Sequence, residues 1–355
     1  MTTGAPGDLL ALAAELVDIP SVSHHEQALA DRLEAELRTA PGLEVVRIDD
    51  NVVARTRLGR AQRVVLAGHL DTVPPHGNDR ARLDGEVLWG LGSADMKAAL
   101  AVFVALARAV PEPAVDVTYA LYACEEVAHE HSGLGRLLDT RPDLLAGDVA
   151  ILGEPSGGAV EAGCQGTLRV EALFEGRRAH TARPWKGRNA IHRLAGALAR
   201  LESYEPRRPV VDGCEYHEAM QAVRVEGGQG NNVVPDRAVL TVNHRFAPDR
   251  TPEEALAHVA GVLADADALE VVDLAPAAPP ALDHPLLAAL LDRHRLTVRA
   301  KLGWTDVARF AALGVPAVNL GPGDPGVAHT AEEHVTRADV ERAHAVLRDL
   351  LERGT

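Results

Sequence analysis

Histidine and acidic side chains follow four apolar segments of this 355-residue chain. The segments, each predicted as a buried strand, are Val64–Ala67, Val115–Ala123, Val149–Leu152 and Val315–Leu320. The side chains that follow them are, in the same order, His69 with Asp71, Glu125 with Glu126, Glu154, and His329. Because the carboxyl ends of parallel strands meet at one edge of a sheet, we expect these side chains to lie together.

Imidazoles and carboxylates without thiolates form a ligand set suited to divalent ions such as zinc. Asp95 adds a further ligand, since it follows the Gly-rich loop 90–94 at the start of a predicted apolar helix, 96–110. Five ligands exceed the three or four that one zinc ion usually takes, but they fit two ions about 3.5–4 Å apart that share a carboxylate. We predict that Asp95 is this bridge, because its Gly-rich loop allows close approach of the backbone. The predicted metal ligands are His69, Asp95, Glu126, Glu154 and His329.

Two further residues have predicted roles beside the metal ions. Asp71 lies two residues after His69, and we expect it to accept the second N–H of that imidazole and so to fix its tautomer. Glu125 and Glu126 are adjacent, so their side chains cannot both point the same way. If Glu126 binds a metal ion, Glu125 is free to accept a proton from water in the site.

The elements that must position these residues follow two patterns. Strands that alternate with helices predict an α/β domain with a mostly parallel sheet and helices on both faces. Its predicted helices are 8–18, 26–38, 96–110, 284–294 and one within 315–353. From 168 to 276 the pattern changes to that of an inserted α+β, ferredoxin-like β-α-β-β-α-β module. Its clearest elements are strands 168–175 and 237–246 and helices near 189–203 and 252–264, with a return linker at 274–280. We therefore expect one domain over 1–167 and 277–355 and a second over 168–276.

Composition excludes several classes of partner. The chain carries 36 basic and 51 acidic residues, a net charge of −15, which argues against nucleic acid or an anionic membrane surface. Three cysteines without a C-x-x-C spacing predict neither a disulfide framework nor a thiolate zinc site. No apolar run approaches the roughly 20 residues that span a bilayer, and no basic segment precedes the first apolar stretch. We therefore expect a cytoplasmic protein.

Two other functions fit only parts of the pattern. A non-catalytic calcium-binding protein would use about six to eight oxygen ligands and rarely imidazole, so His69 and His329 argue against it. A nicotinamide-dependent oxidoreductase is suggested only by Gly321–Gly326, which matches G-x-G-x-x-G literally. The prolines in this segment and the lack of a predicted helix directly after it argue against a dinucleotide site.

Five motifs, in order along nearly the whole chain, resemble those of the co-catalytic di-zinc aminoacylase/carboxypeptidase superfamily. They are Gly68-His69-Leu70-Asp71-Thr72-Val73-Pro74, Gly90-Leu91-Gly92-Ser93-Ala94-Asp95-Met96-Lys97, Glu125-Glu126, Gly153-Glu154-Pro155 and the late His329. The resemblance implies one zinc ion on His69, Asp95 and Glu154. It implies a second on Asp95, Glu126 and His329, with Glu125 as general base and with cobalt able to replace zinc.

Within this superfamily the chain is most similar to the actinobacterial type of succinyl-diaminopimelate desuccinylase. The stretches that carry this similarity are Glu161–Arg169, Gly303–Val307 and Gly321–Pro325. The resemblance implies hydrolysis of N-succinyl-LL-2,6-diaminopimelate, an anionic N-acyl amino acid, to succinate and LL-2,6-diaminopimelate. It also implies that the inserted domain is a lid that forms a homodimer, in which His180 of the partner subunit reaches the active site. Asn231 and Arg245 match lid positions that contact substrate, and Thr305 is a further candidate contact.

Two stretches depart from the better-known desuccinylases. Gly163–Thr167 reads Gly-Cys-Gln-Gly-Thr where those enzymes carry Gly-Arg-Arg-Gly-Ser, whose first Arg contacts a substrate carboxylate. Arg183 stands where they have a Tyr three residues after the lid histidine, and it could supply the missing cation from another direction. Substrates like those of acetylornithine deacetylases, dipeptidases or aminoacylases therefore remain alternatives.

Overall fold

The computed structural model describes residues 8–355. Residues 1–7, on which the expectation of no leader peptide partly depends, lie outside this range. Its α-helices are α1 (Leu9–Val17), α2 (Gln27–Thr39), α3 (Ala98–Ala109), α4 (Gly133–Thr140), α5 (Ala190–Glu202), α6 (Pro252–Val262), α7 (Pro285–His294), α8 (Val307–Ala312) and α9 (Arg337–Arg353). Among these described helices, none combines the length and the apolar character needed to cross a bilayer.

The strands complete the secondary structure of the described residues. They are β1 (Leu43–Ile48), β2 (Asn51–Thr56), β3 (Arg63–His69), β4 (Arg82–Asp84), β5 (Val87–Trp89), β6 (Asp116–Tyr122), β7 (Val149–Pro155), β8 (Val160–Ala162), β9 (Gly166–Glu175), β10 (Val210–Val211), β11 (Cys214–Glu215), β12 (Ala219–Gly227), β13 (Arg237–Phe246), β14 (Ala268–Ala275), β15 (Val298–Ala300), β16 (Ala317–Gly321) and β17 (His334–Thr336). The chain divides into two compact units. Unit 1 comprises the residues up to Ala162, Ala281–Arg299 and Arg309–Thr355, and unit 2 comprises Gly163–Pro280 and Ala300–Ala308.

Unit 1 is built on an eight-stranded sheet with the order β1-β2-β6-β3-β7-β16-β8-β15. The central strands β6, β3, β7 and β16 run parallel, whereas β1 and β2 form an antiparallel hairpin at one edge. Both β6 and β7 are buried at every position, which is typical of parallel strands in the middle of a sheet. A three-stranded sheet, β17-β5-β4, belongs to the same unit.

The core of unit 1 fixes the strand ends that carry the candidate site. Helices α1, α2, α3 and α9 contribute their apolar residues to one cluster with the central strands. The one with the most buried residues is α3, in which Leu100, Phe103 and Leu106 are at most 1% exposed. Full burial of such side chains stabilises a fold by about 1.5–3 kcal/mol each. This packing holds the strand ends that carry the site in fixed positions.

Unit 2 contains an antiparallel four-stranded sheet with the order β12-β13-β9-β14. Along the chain its main elements follow the sequence β9-α5-β12-β13-α6-β14, with a small β10-β11 hairpin after α5. Its core joins α5 and α6 to the sheet through Leu194, Ala197, Ala255 and Val259. A capping box between Thr251 and Glu254 defines the start of α6.

The predicted fold class is confirmed: a mostly parallel α/β sheet and an inserted ferredoxin-like module. The predicted return linker at 274–280 was partly wrong, because β14 continues to Ala275 and pairs with β9. The predicted helix 96–110 begins later, at Ala98, because Asp95 and Met96 have non-helical backbone angles. Unit 2 also includes residues outside 168–276, and the predicted boundaries remain our proposal for the domain limits.

Candidate metal centre

The side chains predicted as metal ligands all belong to unit 1. His69 is the last residue of β3, and Glu154 lies near the end of the adjacent parallel strand β7. Glu126 follows β6, and His329 follows β16 at the same edge of the sheet. The fifth residue, Asp95, lies in a short turn, Ser93–Lys97, that leads into α3.

Asp95 lies between the two histidines and directs one carboxylate oxygen at each. Its Oδ1 atom is 3.0 Å from Nε2 of His69, and its Oδ2 atom is 3.3 Å from Nε2 of His329. Glu126 Oε1 is 2.7 Å from the His329 nitrogen, whereas Glu154 Oε1 is 4.0 Å from the His69 nitrogen. The five side chains thus form two groups of three that share Asp95.

This arrangement fits a pair of divalent ions. Ligand atoms of His69, Asp95 and Glu126 lie within 4.8 Å of one another, close enough for common coordination. Each group of three offers one imidazole nitrogen, one carboxylate of its own and one oxygen of the shared Asp95. Nitrogen and carboxylate ligands of this kind suit zinc and related ions, with the shared carboxylate as the bridge.

The pKa values of the site residues show that this site favours positive charge. Burial raises the pKa of Asp95, but hydrogen bonds from His329 and His69 outweigh it and hold this pKa far below its ordinary range. Hydrogen bonds to Asp95 and Glu126 raise the pKa of His329 to about 10. Burial lowers the pKa of His69, yet its bonds to Asp71 and Asp95 raise it well above the usual value. The acidic groups around the two imidazoles thus favour positive charge at this place, which divalent ions would supply.

Asp71 lies beside the His69 imidazole and makes further contacts. The Nδ1 atom of His69 donates to the backbone carbonyl of Asp71 at 3.0 Å, while the nearest carboxylate oxygen is 3.6 Å away. The carboxylate also accepts the backbone N–H groups of Glu125 and Glu126, each at 2.9 Å, and the Ser23 hydroxyl at 2.8 Å. Asp71 thus fixes the backbone that carries the two glutamates.

The segment before these glutamates is held by a residue that the sequence analysis missed. Glu26 is 1% exposed, and its Oε1 atom accepts the backbone N–H of Cys124 at 3.0 Å and its thiol at 3.2 Å. Cys124 has a φ of 58°, an unusual conformation for a residue with a side chain. Because Glu26 and Asp71 hold three successive N–H groups, the backbone turns sharply after β6.

Two motif glycines allow the Asp95 turn to pack on the strand ends. The Met96 Sδ atom accepts the backbone N–H of His69 at 3.3 Å. A Cβ atom at Gly68 or at Gly153 would lie 2.5 Å from the Met96 methyl group, closer than any real contact. Glycine therefore precedes both His69 and Glu154 because Met96 occupies the space that a side chain would need.

The predicted catalytic and substrate contacts other than Glu125 and Asp71 belong to unit 2, so they are described within that unit alone. His180 is exposed and forms an isolated bridge with Val233, which brings its loop beside the segment that carries exposed Asn231. Arg183 is exposed on the His180 loop. Arg245 is partly buried on β13, between β9 and β12, and Thr305 is buried two residues before α8.

Two named relatives match this chain over 97% of its length. A Mycobacterium tuberculosis protein (strain ATCC 25618 / H37Rv), provisionally named a succinyl-diaminopimelate desuccinylase, is 51% identical over 97% of this chain and 98% of its own. The succinyl-diaminopimelate desuccinylase of Corynebacterium glutamicum is 43% identical over 97% of this chain and 96% of its own.

Solved structures share the fold at low sequence identity. Aminopeptidase PepT from Bacillus cereus ATCC 10987 superposes with a TM-score of 0.79 at 20% identity, over 97% of both chains. The YXEP protein of Bacillus subtilis, described as a dinuclear metal-binding peptidase, gives 0.70 at 15% identity over 97% of this chain and 96% of that one. The sequence model described as peptidase family M20/M25/M40 matches residues 65–353. The chain therefore belongs to peptidase family M20/M25/M40.

Proposed function

We propose that this chain is a di-zinc amidohydrolase that cleaves N-succinyl-LL-2,6-diaminopimelate to succinate and LL-2,6-diaminopimelate, a step in the synthesis of diaminopimelate and lysine. The observation that carries the proposal is the position of Asp95, whose two oxygens face two separate groups of ligands. Relatives at 43–51% identity that are named for this reaction support the choice of substrate. The family is metal-dependent, and we propose zinc, with cobalt as a substitute.

The proposed metal ligands divide into two sets. His69, Asp95 and Glu154 would hold one ion, and Asp95, Glu126 and His329 would hold the other. Two divalent ions bound there would supply Lewis-acid chemistry, which favours the ionisation of water and polarises a carbonyl group.

Glu125 is the proposed general base. It would accept a proton from the water molecule whose oxygen attacks the amide carbon, and the C–O bond forms as this proton leaves. It would then deliver the proton to the amide nitrogen, so that the C–N bond breaks and the amine leaves neutral. Asp71 supports this role, since it holds the N–H groups of Glu125 and Glu126 and so directs the base.

Residues of unit 2 are proposed to bind the rest of the substrate. His180 of the partner subunit would donate a hydrogen bond to the oxyanion, a role typically worth about 3–4 kcal/mol. Arg183 and Arg245 would bind the substrate carboxylates through bidentate guanidinium contacts, with Asn231 and Thr305 as further contacts. Such local cations are needed because both the chain and the substrate are anionic. The proposal includes a cytoplasmic homodimer.

A hydrolysis panel tests this function. The purified chain with added Zn²⁺ or Co²⁺ is assayed on N-succinyl-LL-2,6-diaminopimelate, N-acetylornithine and simple dipeptides, beside a metal-content measurement. We expect the highest kcat/KM on the succinyl substrate and about two metal ions per chain. A preference for N-acetylornithine or dipeptides would overturn the proposed substrate, and a chain that bound no zinc would overturn the reaction class.

A further inference from the structure

Glu333 is a buried acidic residue that the mechanism above does not use. It lies just before β17, four residues beyond the candidate ligand His329, and it is 1% exposed. Its Oε1 atom accepts the backbone N–H of Ala94 and that of Asp95, each at 3.0 Å. Its carboxylate therefore binds the backbone of the residue that would bridge the two metal ions.

A second contact fixes the other end of the same loop. The backbone carbonyl of Glu333 accepts the N–H of Gly90 at 3.1 Å. One residue thus binds the Gly-rich segment 90–95 at its first and last positions, although it is 238 residues away from Asp95 in the sequence.

The backbone geometry explains why this loop needs an acceptor. Asp95 (φ −120°, ψ 88°) and Met96 (φ −137°, ψ 34°) lie outside the helical region, and regular α3 begins only at Ala98. The N–H groups ahead of a helix have no partner within the helix and need one elsewhere when they are buried. Glu333 supplies that partner to two of them with a single oxygen atom.

We propose that Glu333 is a positioning residue, which holds the Asp95 carboxylate at the place from which it faces both His69 and His329. This inference rests on the metal site of the proposed function. An aspartate side chain has few rotatable bonds, so the position of its backbone decides where its oxygens lie. Since Asp95 is common to both groups of ligands, loss of the Glu333 contact weakens the binding of both ions together.

The chain provides a matched control for this inference. Glu332 is the preceding residue, has the same side chain and is exposed. Substitutions there change the same charge in the same segment and leave the two N–H contacts to Asp95 and Ala94 in place. Any effect of the local charge alone therefore appears in both sets of variants.

The test measures zinc affinity by competition with a chelator, without substrate, together with thermal unfolding of the metal-free chain. Glu333→Leu removes the acceptor, and Glu333→Asp retains the charge but withdraws the oxygen by one methylene. For both variants we expect the affinities of both zinc ions to fall about 10–100-fold. Glu333→Gln, whose amide oxygen still accepts N–H groups, is expected to stay within about threefold of the wild type, as are Glu332→Leu, Glu332→Asp and Glu332→Gln.

Three results would overturn the inference. They are wild-type zinc affinity in folded Glu333→Leu and Glu333→Asp, loss of one ion only, or an equal loss in the Glu332 variants. If Glu333→Leu does not fold, Glu333→Asp decides. A wild-type chain that binds zinc but prefers another substrate contradicts the proposed function and leaves this inference standing, whereas a wild-type chain that binds no zinc contradicts both.

Discussion

Glu125 and Glu126 are adjacent and have the same side chain, but their surroundings differ. Asp71 accepts the N–H groups of both, and the left-handed Cys124 before them turns the backbone. Glu126 reaches His329 at 2.7 Å and so belongs to the group around Asp95. The assignment of Glu125 as base and Glu126 as ligand stays a prediction, and the two roles are separable by experiment.

Glu125→Gln is expected to retain both zinc ions, because the change removes a proton acceptor and no metal ligand. Turnover should fall about 10²–10⁴-fold, the usual contribution of a general base. The measurement pairs steady-state kinetics with zinc content per chain. Glu126→Gln is the control, and we expect it to lose zinc as well as activity. Zinc loss from Glu125→Gln with full zinc in Glu126→Gln would show that the two roles are reversed.

The residue types of the site could be predicted from the sequence, but some of their contacts could not. The ligand types and their place after apolar strands are local signals, so His69 and Glu154 are found by pattern. Asp71 was selected for its spacing from His69, yet its carboxylate binds N–H groups more than 50 residues away. Glu26 and Glu333 carry no local signal, since only the folded backbone brings them to Cys124 and Asp95.

At the scale of elements, the strands that could be predicted from the sequence are the buried ones. The runs that became β3, β6 and β7 are continuous and apolar because both faces of these strands are covered. The second and fourth strands of the predicted module, β12 and β14, could not be located in the sequence, because most of their positions are exposed and charged residues interrupt the pattern. Edge strands of this kind are determined by pairing with a neighbour more than by their own composition.

The buried carboxylate of Glu218 contacts several segments of unit 2. Its lowered pKa makes the stability of the chain depend on pH. The side chain of Glu218 is fully buried and contacts the guanidinium groups of Arg207 at 2.7 Å and Arg250 at 3.3 Å. It also accepts the backbone N–H of Ala247 at 3.2 Å. Burial raises the pKa of Glu218, but these bonds outweigh it and lower the pKa to about 2.

Because this folded-state pKa lies below the ordinary value of 4.5, ionised Glu218 stabilises the chain above pH 4.5. That contribution is lost as pH falls from 4.5 towards 2. Glu218→Gln should lower the free energy of unfolding by about 2–3 kcal/mol at pH 7, and the difference from wild type should shrink by pH 3. Urea unfolding at both pH values measures this, with exposed Glu205→Gln as control. A difference that did not change with pH would contradict the role of the charge.

At the scale of the whole molecule, the proposed dimer predicts that each complete active site contains residues of both subunits. Glu125→Gln lacks the base and His180→Ala lacks the oxyanion donor, so each homodimer is expected to be nearly inactive. In a mixture that exchanges subunits, every hybrid dimer has one site with its own Glu125 and an intact His180 of the partner subunit. We expect up to about a quarter of the wild-type activity to return, because half of the dimers are hybrid and each has one complete site.

The measurement is kcat of the mixture after unfolding and joint refolding, with each variant refolded alone as the control. Sedimentation or light scattering establishes that dimers form. Dimers that exchange subunits but recover no activity would contradict the action of His180 across the subunits.

The candidate centre has a consequence for how the protein is made. Its ligands extend from His69 in β3 to His329 beyond β16, and β16 pairs with β7, which precedes it by more than 150 residues. A ribosome must therefore synthesise the chain past residue 329 before the last histidine can join the others. Contacts so distant along the chain form slowly, which exposes unfinished sheet edges to aggregation. We expect the centre to assemble only after His329 has been synthesised and β16 has paired with β7.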